Sequence, residues 1–79
     1  MTLYEGLEVV HRTTVNVNGE PTSVVVQGGT GAYRAALEFE LASDPLDYTG
    51  WGKTPTQAMF DLVRVLEGIG GHTVAADIP

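Results

Sequence analysis

The sequence predicts an α+β fold: a three- or four-stranded antiparallel meander with one helix packed across its apolar face, in the order β-β-β-α(-β). Three observations predict it. Apolar residues alternate at period two in the first half of the chain, an Asn-Gly pair separates the first two alternating runs, and an apolar stripe at helical spacing follows Pro55.

The first strand is read over residues 7–17. Val9, His11, Thr13, Val15 and Val17 share one parity, and Val10, Arg12, Thr14 and Asn16 the other. Asn18-Gly19 then suits a type I′ turn, in which both central residues need positive φ. Pro21 cannot donate to a ladder and suits an edge or a loop, so the connection has either two residues or four. In both cases Val24 and Val26 share the face of Val15 and Val17.

Gln27-Gly28-Gly29-Thr30-Gly31 reads as the second turn. The third strand places Tyr33, Ala35, Leu37, Phe39 and Leu41 on one face and Arg34, Ala36, Glu38 and Glu40 on the other, as expected of a sheet with one wet face. Ser43-Asp44-Pro45 ends it, and a loop through Tyr48 and Trp51 leads to the helix.

The helix is written out in consecutive residues. Thr54 can cap, Pro55 suits the first position, and Gln57 completes the capping-box spacing. Ala58, Leu62, Val65, Leu66 and Ile69 form the apolar stripe, broadened by Met59 and Val63, with Gln57, Asp61, Arg64 and Glu67 opposite. Gly68 is expected as the left-handed C-terminal residue. Ile69-Gly70-Gly71 reads as a joint, and residues 72–76 as either a short edge strand or a tail. Residues 1–79 make one domain, with 1–6 and 70–79 as candidate loose ends.

A chain of 79 residues buries only about 60% of its unfolded surface, which leaves a solitary core marginal. Small domains add disulfides, a metal or a partner. There is no cysteine, and no carboxylate or histidine cluster has ligand spacing, so neither a metal nor another cofactor is expected. A partner subunit remains, and a homo-oligomer is expected. The net charge is −6, with ten acidic and four basic residues. His11 and Arg12 are the only basic neighbours, which argues against nucleic-acid binding. Val24-Val25-Val26 is as long as any apolar run, so no membrane span is expected. Without a recognisable signal peptide, a cytoplasmic location is expected.

No motif carries catalysis. Gly52-Lys53-Thr54 has the end of a P-loop, but Asp47 stands where that motif needs glycine. Gly28-Gly29-Thr30-Gly31 fits a turn better than an anion nest, with only Arg34 nearby. His11 is expected on the core face near the sheet end, and His72 solvated in a glycine-rich segment. Glu38 and Glu40 share a strand face without a third acidic ligand.

Two aromatics stand out. Trp51 packs under the loop or faces a partner. Phe60 interrupts the polar side of the helix, where a large aromatic gives a lone core helix nothing. Phe60, Arg64 and Trp51 are therefore the candidate partner-binding residues.

The segment Gly52-Lys53-Thr54-Pro55-Thr56-Gln57-Ala58 and the apolar helix after it resemble the Gly-x-Thr-x-x-x-Ala helix entry of HicB-type antitoxin N-terminal domains, which have a partial RNase H-like fold. The resemblance covers the last strand and the helix. It implies a non-catalytic domain that binds and blocks a small toxin ribonuclease. Many members also carry a DNA-binding module, which has no counterpart in this chain, so only the protein-binding role transfers. The expectation is a small acidic non-enzymatic protein acting by protein–protein binding, as an inhibitor, antitoxin or phage-type accessory factor. The alternative is a structural or assembly subunit of a homo-oligomer or phage particle.

Overall fold

The computed structural model describes residues 5–76; residues 1–4 and 77–79 of the expected ends lie outside that range. The elements are β1 (Glu8–Val17), β2 (Glu20–Gly28), β3 (Tyr33–Leu37), β4 (Thr49–Gly52), α1 (Pro55–Gly68) and β5 (Val74–Ala75). They form a five-stranded antiparallel sheet in the order β4-β3-β2-β1-β5 with the helix on one face. The α+β class and the antiparallel meander agree with expectation; the strand number is five, because a strand also forms just before the helix.

The β1–β2 hairpin closes at Val17↔Glu20, with Asn18 at φ 54° and Gly19 at φ 83°. The loop is thus the two-residue one. Pro21 sits inside β2, opposite Asn16. That pair is one step beyond the closing pair, so by antiparallel alternation its backbone groups face away from β1. On that side β3 pairs only from Val24 onward, and no ladder bond is lost to the proline. Val15, Val17, Val24 and Val26 share the core, as the alternation predicts.

A bulge modifies the start of β1. Val9 faces Gln27 but His11 faces Val26, leaving one extra residue between them. Val9 therefore moves to the face away from the helix. His11 stays on the helix side but is exposed, contrary to its expected core position.

The face away from the helix is not simply wet. Val25, Gln27, Arg34 and Ala36 are buried there, on β2 and β3. Arg34 donates to Gln27 Oε1 at 3.1 Å, and Gln27 Nε2 donates to the Leu7 carbonyl at 3.0 Å. The buried polar groups are thus paired, as burial requires. β3 also ends at Leu37 rather than Leu41: the Glu38 amide still bonds to Ser23 at 2.9 Å, after which the chain leaves the sheet. Phe39 is exposed and Leu41 packs against the core from outside any strand.

β4 replaces the loop expected before the helix. A Cβ on Gly50 would lie 2.1 Å from Leu62 N and 2.4 Å from Ala58 O, and one on Gly52 would lie 2.6 Å from Ala58 N. The two glycines let the strand touch the helix backbone, and Trp51 between them points to the opposite face.

The helix starts as expected. Thr54 Oγ1 accepts from Gln57 N at 3.1 Å, while Gln57 Oε1 accepts from Lys53 N at 2.9 Å, one residue earlier than the capping box prescribes. Ala58, Met59, Leu62 and Leu66 are buried against the sheet. Each fully buried leucine contributes about 1.5–3 kcal/mol.

The exit differs from expectation. Gly68 is the last helical residue and lacks positive φ, and Ile69 is 80% exposed instead of joining the stripe. The left-handed residue is Gly71, at φ 66°, which turns the chain so that His72 N reaches Leu66 O at 3.0 Å. Residues 74–75 then pair with β1, tying this segment to the sheet.

Candidate functional site

Phe60 and Arg64 lie one turn apart on the solvent side of α1. Phe60 is 56% exposed, in agreement with its polar helical neighbours. Arg64 is ion-paired with Asp61 in the same turn. Trp51 is 46% exposed, so it is not a core tryptophan. Its side chain projects from the sheet face opposite α1, whereas Phe60 projects from the far side of α1. The three residues do not make one continuous patch.

Asp61 links the two elements. Its Oδ1 accepts from Arg64, and its Oδ2 accepts from Trp51 N at 2.9 Å. The Arg64 guanidinium and then the Trp51 amide hold its carboxyl below the usual carboxylate range. The helix thereby satisfies an amide on the open edge of β4, which would otherwise invite another strand.

A second cluster lies where three segments meet, and it overturns the solvated reading of His72. The His72 side chain is only 10% exposed. Its Nδ1 is 2.8 Å from Asn18 Nδ2 and its Nε2 is 2.8 Å from Asp44 Oδ2. Tyr48 donates to the same carboxylate oxygen, and its ring meets the imidazole edge-on at 5.9 Å between centroids.

Thr73 N donates to Asn18 Oδ1 at 2.9 Å, which fixes the amide with its NH₂ toward the histidine. Nδ1 is then placed to accept from the Asn18 amide, and Nε2 to donate to Asp44. The Tyr48 hydroxyl, then His72, hold the Asp44 carboxyl below its usual range, and the carboxylate pushes the Tyr48 hydroxyl up. A histidine acting as a general base needs a ring nitrogen facing its substrate. Here both nitrogens are committed to protein partners, and the arrangement acts as a latch between the hairpin turn, the loop after β3 and the segment after α1.

The remaining candidates disperse. Glu38 pairs with Arg12 at 3.7 Å, and Glu40 falls beyond the end of β3, so they do not form a strand-borne pair. The Gly28–Gly31 stretch turns between β2 and β3, with Gly31 at φ 81°. Lys53-Thr54 enters the helix. Among the described residues no group of three or more histidines and carboxylates is placed to hold a metal, and no helix is long and apolar enough to cross a membrane. Comparison of the chain with protein-family models, with curated proteins and with solved structures gives no significant match.

Proposed function

We propose that this chain is a small acidic protein that acts by binding another protein, without catalysis of its own, through the solvent side of α1 around Phe60. The supporting observation is the 56% exposure of Phe60 on a helix whose opposite face is already buried. Burying that ring against a partner is worth about 1.5–3 kcal/mol, and aromatic and arginine side chains are the common anchors of interfaces. Arg64 supplies the adjacent polar contact, and the net charge of −6 favours a basic partner. Trp51, on the opposite sheet face, belongs to a separate contact.

An inhibitor or antitoxin-like role, or that of a phage-type accessory factor, fits this chemistry. It accords with the HicB-like helix entry at residues 52–58. A homo-oligomeric assembly subunit is the second reading, favoured by the exposure of both Phe60 and Ile69 on so short a chain.

The test compares wild type with Phe60→Ser by sedimentation over a concentration series and by affinity capture from the native host, with circular dichroism as the folding control. The expected result is a folded variant that has lost self-association or a captured partner. A folded variant with both intact refutes the assignment to Phe60, and an unfolded one places Phe60 in the core.

A further inference from the structure

The end of the sheet beside Pro21 holds a groove that the helix does not share. β2 begins four residues before its pairing with β3 starts at Val24. On the other side the chain leaves the sheet after Glu38 and runs on through residues 39–43. Between them is an open cavity of about 520 Å³, lined by Val17, Pro21, Phe39 and Leu41 among apolar residues and by Glu20 and Glu40 among charged ones. This volume falls in the range of ordinary ligand sites.

Three properties say what fits. Phe39 is 62% exposed at its wall, an apolar surface with no use in the isolated chain. The lining carries two carboxylates and no lysine or arginine. The open edge of β2 has no amide donor at Pro21, while the Pro21 carbonyl, two residues from the Ser23 carbonyl that accepts from Glu38, points the same way. The groove therefore offers acceptors and apolar surface, and it lacks the alternating donors that a full added strand needs.

We propose that this groove binds an extended, lysine- or arginine-bearing segment of a partner protein. The basic side chains meet Glu20 and Glu40, an apolar side chain packs on Phe39, and backbone or side-chain N–H groups donate to the Pro21 carbonyl. The site is separate from Phe60, so either surface can fail its test without the other.

The probe is a blocked decapeptide of alternating lysine and valine, titrated into the ¹⁵N-labelled protein, with a glutamate–valine peptide as control. Saturable amide shifts are expected at residues 20, 22–23 and 39–43, without matching shifts along α1. Glu40→Lys and Phe39→Ser, both at exposed positions, should stay folded by circular dichroism and weaken binding by about tenfold or more. Added salt should weaken it further. Absence of saturation, shifts centred on α1, equal binding of the glutamate peptide, or unchanged affinity in both folded variants would each overturn the proposal. So would evidence, without peptide, that a second copy of the chain fills the groove.

Discussion

Asn18 and His72 are 54 positions apart, yet the side-chain amide of one donates to the imidazole of the other at 2.8 Å. The contact makes the hairpin turn and the end of the helical segment a single unit. Asn18 serves twice there, since its left-handed backbone makes the turn while its side chain holds His72 and Thr73.

His72→Ala should therefore destabilise the fold by about 1–3 kcal/mol, because it leaves Asp44 and Asn18 with unmade hydrogen bonds in a partly buried site. Urea denaturation measures this. A double-mutant cycle with Asp44→Asn should show a coupling of about 0.5–3 kcal/mol. Additive effects would mean that the latch is not a unit.

The pH dependence follows from three shifted groups. Asp44 and Asp61 are more acidic in the folded chain than their ordinary value of 3.8, so each adds stability above that pH, and the gain is lost as pH falls through the folded value. Tyr48 holds its proton more tightly than its ordinary value of 10.0 implies, so its contribution is complete below that pH and is lost as pH rises past it. As far as these groups decide it, Tm should be level from about pH 5 to 9 and fall at both ends. Tyr48→Phe should flatten the alkaline limb and Asp44→Asn the acid limb, as read by thermal scans across pH.

Two glycine-to-alanine substitutions should move stability in opposite directions. At Gly50 the new methyl meets the α1 backbone at 2.1 Å and must push strand and helix apart, costing about 1–3 kcal/mol or more. At Gly68 nothing lies within 4 Å and the residue is helical, so alanine should stabilise by about 0.5–1 kcal/mol. Chemical denaturation of both variants checks the pair. A tolerated Gly50→Ala would show that β4 does not lie against the helix.

These elements also mark what the sequence could and could not reveal. The hairpin at Asn18-Gly19, the Thr54 cap and the Ala58–Leu66 stripe were legible because their signals are local. β4 was hidden because Gly50 and Gly52, which weaken a strand in isolation, are there to accommodate a helix that comes later in the chain. The bulge at Val9/His11 shifts one residue and moves Val9 to the other face, with no local residue that demands it. Phe39 and Leu41 continued an alternation that the backbone abandons after Glu38. His72 looked solvated because its partners, Asp44 and Asn18, lie 28 and 54 positions away. Of the candidate site, the exposure of Phe60 was readable from the helix wheel. The separation of Trp51 from it was not, since it depends on which face of β4 touches α1.

The most direct measurement of the central proposal, that α1 presents Phe60 to a protein partner, is photo-crosslinking in the native host. A benzoyl-phenylalanine placed at position 60 is compared with one at exposed Thr14, on the opposite side of the sheet. A discrete adduct is expected from position 60, of a partner protein or of a second copy of the chain, and none from position 14. No adduct at position 60, or equal labelling from both positions, would contradict it.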